Sequence, residues 1–325
     1  MRPAETPADA HDDNFVIILA GGEGRRLHGY TTRRDGVAVP KQFCRFREGR
    51  TLFGSTIDRA LQLTAPERVM AVVLEAHRAW WEPDVAQLPD QNVIAQPENR
   101  GTALAVLAAL VEIHQRKTLP TLVVMPSDGD VEDEEVLLRA ILRAQQALTL
   151  FPNELMLLGI EPTHLDCEYG LIVPTRERLG SSRSVRAFIE KPALNLAAEL
   201  SREGAMWNSF IFACEGAVLY DRFEATLPTL ARSYLRGLVL ARGDADAMRV
   251  LYHHLPSHDF SRDLLEPSTA HLRVIGVPPC GWTDIGTPAR LAAWLGRHRD
   301  APYWREHDLT RLKRGDGVPG VSWAG

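Results

Sequence analysis

Lysine is scarce in this sequence. Of 37 Lys and Arg residues in 325, only Lys41, Lys117, Lys191 and Lys313 are lysines. Where arginine has taken almost every basic position, a site that rejects the planar guanidinium is one explanation for a surviving compact ammonium, and random survival is the other. Lys41 and Lys191 have motif-like neighbours, in Pro40-Lys41-Gln42 and Glu190-Lys191-Pro192, whereas Lys117 and Lys313 sit in ordinary polar ends. Cysteine is also rare. Cys44, Cys167, Cys214 and Cys280 lie far apart with no Cys-x-x-Cys pair, which suggests neither a zinc site nor a disulfide framework and fits a reducing, cytoplasmic setting. No apolar run reaches the length of a membrane span, and Met1 to Asp13 is polar and acidic without the apolar core of a signal peptide, so no membrane association is expected. Two familiar phosphate loops are missing as well: neither Gly-x-x-x-x-Gly-Lys-Ser/Thr nor Gly-x-Gly-x-x-Gly occurs at the glycine-rich turn.

What the sequence does contain near its start is an apolar run, Phe15 to Ala20, that opens into Gly21-Gly22-Glu23-Gly24-Arg25-Arg26-Leu27 and is followed by Pro40-Lys41-Gln42-Phe43. The pattern reads as a buried strand feeding a phosphate cradle. Glycines let main-chain N–H groups approach an anion, and Arg25, Arg26 and Lys41 supply the charge a polyphosphate requires. Net charge is −5, yet residues 21–50 hold eight Arg or Lys against three Asp or Glu. Such asymmetry favours a focused anion site over a nucleic-acid surface.

Short apolar runs alternate with amphipathic stretches, which predicts an α/β fold: a mixed, mostly parallel sheet flanked by helices. Strands are expected at Phe15–Ala20, Val69–Leu74, Val93–Gln96, Leu122–Met125, Leu155–Ile160, Tyr169–Pro174, Val185–Glu190, Trp207–Ala213 and Leu272–Val277. Leu104, Leu107, Ala108 and Val111 share one helical face, as do Leu137, Ile141, Ala144 and Leu148. A helical stretch is expected from about Glu215 to Leu251 and a closing helix near Pro288 to Leu295. Residues 1–13 read as a flexible segment, 14–297 as one domain and 298–325 as a tail.

Several motifs fall where strands of such a sheet end, the place at which open parallel sheets bind ligands. Asp128 follows one strand in Pro126-Ser127-Asp128-Gly129, and Asp284 follows the last in Trp282-Thr283-Asp284-Ile285-Gly286. Either acid alone reads as a helix cap; together, beside a phosphate loop, their hard oxygens suit Mg²⁺. The segment Gln96-Pro97-Glu98-Asn99-Arg100-Gly101-Thr102 carries the amides and carboxylate needed to read a base edge, although Thr102 could equally cap a helix. Glu168-Tyr169-Gly170, Glu190-Lys191 and Trp207-Asn208-Ser209 supply an aromatic face, acids, amides and an ammonium, the mix that surrounds a sugar. His253 and His254 have no metal-ligand spacing and read as solvated or structural.

In order along the chain, these motifs resemble the sugar-1-phosphate nucleotidyltransferases, most closely the mannose-1-phosphate guanylyltransferases. The shared features are Gly-Gly-x-Gly-x-Arg-Leu at Gly21–Leu27 with Pro40-Lys41-Gln42-Phe43, the segment near Asn99, Pro-x-Asp at Asp128, Tyr169-Gly170, Phe188 to Pro192, Trp207-Asn208-Ser209, and Trp282 to Gly286. The resemblance covers about residues 14–297 and implies a Rossmann-like nucleotidyltransferase fold that takes GTP and mannose 1-phosphate and forms GDP-mannose and pyrophosphate. It further implies that Ala20, Gly21, Gly22, Gly24, Arg25, Arg26 and Lys41 hold the triphosphate and that Gln96, Glu98, Asn99, Gly101 and Thr102 hold the base. Tyr169, Gly170, Glu190, Lys191 and Asn208 would receive the sugar phosphate, Arg25, Lys41 and Lys191 would act in catalysis, and Asp128 and Asp284 would bind Mg²⁺. Three features depart from the family pattern: a longer loop between Leu27 and Pro40, Gly29-Tyr30 where Pro-Leu is common, and Gly129 where histidine often follows the first acid. Other readings are a thymidylyl-, cytidylyl- or heptose-1-phosphate enzyme, or a non-catalytic nucleotide-sugar sensor on the same fold. A homodimer stays open.

Overall fold

In the computed structural model the described residues are 14–32, 36–46, 49–117 and 120–298. The segment expected at 1–13, all of the expected tail beyond His298, and part of the long loop before Pro40 lie outside them. Nine strands form one sheet in the order β3-β2-β1-β4-β8-β5-β9-β7-β6. They are β1 (Phe15–Leu19), β2 (Val69–Leu74), β3 (Val93–Gln96), β4 (Thr121–Pro126), β5 (Leu155–Ile160), β6 (Leu171–Pro174), β7 (Arg183–Ile189), β8 (Met206–Glu215) and β9 (Leu272–Val277). Strands β3, β2, β1 and β4 are mutually parallel, β8 runs against both β4 and β5, β5 and β9 are parallel, and β7 opposes β9 and β6. Only β7 and β8 therefore oppose the common direction.

Alternation along β1 assigns the two faces of the sheet. Val16 and Ile18 enter one apolar layer with the helices α2 (Leu52–Leu61), α5 (Glu134–Leu148) and α10 (Pro288–Arg297), while Phe15 and Ile17 enter another. That second layer contains α4 (Gly101–Arg116), α7 (Gly216–Thr226), α8 (Pro228–Ala241) and α9 (Ala245–His254). Covered on both faces, β1 and β2 carry unbroken apolar runs instead of alternation. The expected faces on α4 and α5 are buried. The remaining helices are α1 (His28–Thr31), α3 (Arg78–Trp81) and α6 (Leu194–Arg202). Among the described residues no helix is long and apolar enough to cross a membrane.

Strand bounds shift by one or two residues, with β6 starting at Leu171 and not Tyr169 and β7 spanning Arg183–Ile189, and two larger details differ from the sequence expectation. The helical stretch from Glu215 is three helices, because Pro228 starts α8 without an N–H to donate and Arg242, at φ 48°, ends it in the left-handed region before Asp244 caps α9. Strand β8 is longer than expected and bends: Phe210 has φ 61°, the register with β5 shifts between Leu157 and Gly159, and Leu171 and Ile172 of β6 pair with Trp207 and Met206. The bend turns Asn208 toward the carboxyl ends of the parallel strands, where its Oδ1 accepts from the Phe210 N–H.

Candidate active site

The sheet changes winding direction between β1 and β4, the position at which open α/β sheets form a crevice. A cleft of about 440 Å³ lies there. The glycine-rich-loop side is fastened by its carbonyls: the Gln42 side-chain amide donates to Ala20 O at 3.0 Å and to Gly22 O at 2.6 Å, and Asn99 Nδ2 donates to Gly21 O at 3.2 Å. Ser127 joins β4 to β1 through its N–H and hydroxyl, both on Leu19 O. Gly21, Gly22 and Arg26 line the cleft, and Arg26 reaches across to form an ion pair with Glu168. Arg25 turns to solvent and pairs with Glu23.

Lys41 is buried behind the loop. Its Nζ lies 2.9 Å from Asp128 Oδ2 and donates to the main-chain carbonyl of Asp284, so it joins the two acids that the sequence places 156 positions apart. Asp128 and Asp284 both border the cleft. Asp133, not Asp128, caps α5, whereas Asp284 Oδ1 accepts from Gly286 N (2.9 Å), Tyr169 Oη (3.0 Å) and Arg290 Nη1 (2.6 Å). Burial pushes the Asp284 carboxyl up, but Lys41 and Arg290 outweigh it and hold the group below its ordinary value. The next residue, Ile285, has φ 44°, a conformation costly for a β-branched side chain and one that clusters at functional sites.

At the other end stand Tyr169, Glu190, Lys191 and Asn208. Tyr169 makes tilted ring contacts with Trp207 and Trp282, with centroids at 4.7 and 5.5 Å. Gly170 lies beneath Glu190; a Cβ there would come within 2.5 Å of Glu190 Oε2, so the carboxylate occupies space that only glycine leaves. Burial raises the Glu190 carboxyl to about 7, with nearby Asp259 adding to the rise and Lys191 opposing it. Lys191, at φ 48°, sets its Nζ 3.8 Å from Glu190 Oε1.

Along the third side, Gln96, Asn99, Gly101 and Thr102 reach the cleft. Glu98 instead pairs with Arg100 and His253 beside α9. Thr102 does not cap α4: its hydroxyl accepts from Phe260 N at 2.8 Å. Gly101 has φ 82°, and a Cβ would lie 2.1 Å from His258 O, because this turn is sewn to residues 257–260 through Ala103 N to His258 O and His258 N to Arg100 O. The contact brings Ser257, His258, Asp259 and Ser261 into the cleft, residues to which sequence reasoning gave no role. Arg290 was missed likewise; its only sequence signal is a cation in the first turn of the closing helix.

The fold coincides with that of a known class. Residues 15–295 match the nucleotidyl transferase family model, and the chain belongs to that family. It is 26% identical to mannose-1-phosphate guanylyltransferase RfbM of Salmonella typhimurium over 284 residues, 85% of this chain and 57% of that one. It is 28% identical to the alginate biosynthesis protein AlgA of Pseudomonas syringae over 295 residues, 88% of this chain and 58% of that one. The chain thus spans less than three-fifths of the length of these two curated relatives. Among solved structures, mannose-1-phosphate geranyltransferase from Thermus thermophilus superposes with a TM-score of 0.76 at 28% identity, covering 87% of this chain and 79% of that one. A glucose-1-phosphate thymidylyltransferase structure from Bacillus anthracis, at 13% identity and TM-score 0.55, shares the fold.

Proposed function

We propose that the chain transfers a guanylyl group from GTP to mannose 1-phosphate, giving GDP-mannose and pyrophosphate. The observation that carries this reading is the convergence, on one cleft, of the phosphate loop, the acids Asp128 and Asp284, and the Glu190–Lys191 pair. The names of RfbM and of the Thermus structure support the sugar phosphate. In such a transfer a sugar-phosphate oxygen attacks the α-phosphorus in line and pyrophosphate leaves, so the protein has mainly to position reactants and neutralise charge.

The loop N–H groups, opposite the carbonyls held by Gln42 and Asn99, would meet the triphosphate, and Arg26 would exchange Glu168 for phosphate oxygens. Arg25 would have to leave Glu23 and turn inward to join it. Lys41 would hold the two acid-bearing segments together as well as oppose phosphate charge. Lys191 would neutralise the sugar phosphate while Glu190 and Asn208 read hydroxyls. For the base, Gln96, Asn99 and Thr102 face the cleft, and Glu98 would need to swing off Arg100 to take part.

Mg²⁺ fits the donor set. Asp128 uses Oδ2 for Lys41 and Asp284 uses Oδ1 for its three donors, which leaves one oxygen of each for a cation that keeps most of its waters and binds through one or two carboxylates. When bound it would neutralise and orient phosphate oxygens.

The test is pyrophosphate release with mannose 1-phosphate and each of GTP, ATP, UTP, CTP and dTTP. GTP is expected to exceed the others by roughly tenfold or more, since a mismatched base leaves buried polar groups unpaired at about 1–3 kcal/mol each. Equal use of another nucleotide would overturn the base assignment. No turnover of mannose 1-phosphate with any nucleotide would overturn the proposed reaction, and nucleotide-sugar binding without turnover of any other sugar 1-phosphate would then favour a sensor.

A further inference from the structure

Arg290 occupies a position that ordinary helix electrostatics disfavour. It lies in the first turn of α10, where Thr287 accepts its N–H, and the helix dipole there opposes a cation. It is also 8% exposed. Its guanidinium is held from three sides. Nη1 donates to Asp284 Oδ1 at 2.6 Å, Nε and Nη2 donate to Asp166 Oδ2 at 2.9 and 2.6 Å, and the group lies 3.8 Å from the centroid of the Tyr169 ring. Tyr169 in turn donates to the same Asp284 oxygen.

Together with Lys41 on Asp128, this gives each of the two acids Asp128 and Asp284 a resident cation. A divalent ion entering the free protein therefore meets two positive charges already paired with its ligands. A polyanionic triphosphate would reverse that balance, because its charge would offset both cations and attract the incoming ion. We infer that Arg290 is a positioning residue that keeps Asp284 oriented and charge-balanced in the free protein, so that divalent metal binds weakly until the triphosphate arrives. The inference rests on the reading that both acids serve a metal–triphosphate site.

The experiment titrates the full chain with Mn²⁺ alone, following the free-ion electron paramagnetic resonance signal without nucleotide. Arg290→Met keeps bulk, removes charge and exposes Asp284 and Asp166 to the ion; it is expected to bind Mn²⁺ about tenfold or more tightly than wild type. Arg290→Lys restores the charge and is expected to return to within about threefold of wild type. Unchanged or weaker Mn²⁺ binding by the folded Met variant overturns the inference. If that variant does not fold, Asp166→Asn decides: with Arg290 left wholly to Asp284, Mn²⁺ binding should weaken several-fold, and no change overturns the inference. These readouts need no turnover, so a wild type inactive with every nucleotide would sink the proposed reaction separately.

Discussion

Asp284→Asn should lower turnover by about three orders of magnitude, roughly 4 kcal/mol of transition-state stabilisation, and should also lower the thermal midpoint. From sequence alone, either acid could be neutralised with little effect on folding unless it were a helix cap. The structure separates them. The Asp284 carboxylate is three-quarters buried against the Arg290 guanidinium, and removing one member of a fully buried pair costs about 3–5 kcal/mol, less here because Asp166 still holds Arg290. Asp128 is 45% exposed, so Asp128→Asn should match the loss of turnover with a smaller shift in midpoint. The pH dependence has a definite sign. Because the folded Asp284 carboxyl lies below its ordinary value of 3.8, its stabilisation is fully present above that pH and fades as pH falls toward the folded value. The difference in midpoint between wild type and Asp284→Asn should therefore be constant near neutrality and shrink in acid. Melting curves at several pH values, alongside pyrophosphate-release rates at neutral pH, check both halves; an active Asp284→Asn would remove this acid from the chemistry.

Glu190→Gln is expected to reduce kcat/KM for mannose 1-phosphate by about two orders of magnitude at pH 8, the scale of a charge-assisted hydrogen bond lost together with its orienting role. Burial raises this carboxyl from 4.5 to about 7, so the hydroxyl-accepting carboxylate becomes dominant only above neutrality. Wild-type kcat/KM should climb through pH 7. Stability should move the other way, since a raised acid stabilises the fold while it is protonated below its ordinary value and loses that contribution as pH rises toward 7. The sugar phosphate itself ionises near about pH 6, a change shared by both proteins that cancels in their ratio. If the ratio of wild type to Glu190→Gln stays flat from pH 6 to 8, Glu190 is not reading the sugar.

Much of this fold was legible because its signals are local. Continuous apolar runs mark β1, β2 and β5 as strands covered on both faces, and helical spacing marks the buried faces of α4 and α5. Pairings between distant segments were not legible. Nothing near His258 reveals that its carbonyl packs against Gly101, and nothing in Pro288–Arg297 reveals that Arg290 folds back over Tyr169. The same holds for Lys41, whose motif marks a cation near phosphate while the folded chain buries it between two acid-bearing loops. Glu98 shows the reverse case: its position in the sequence suits base recognition, but Arg100 and His253 claim its carboxylate.

The most direct measurement is a crystal structure of the chain with GDP-mannose and Mg²⁺. The diphosphate is expected along Gly21, Gly22 and Arg26, guanine beside Gln96, Asn99 and Thr102, and mannose within hydrogen-bond reach of Glu190 and Asn208, with the metal at Asp128 and Asp284. A nucleotide sugar lying instead in the separate groove of about 740 Å³ beside Glu161, His164 and Arg183, or bound in the cleft with its sugar at the Gln96 end, would contradict this placement.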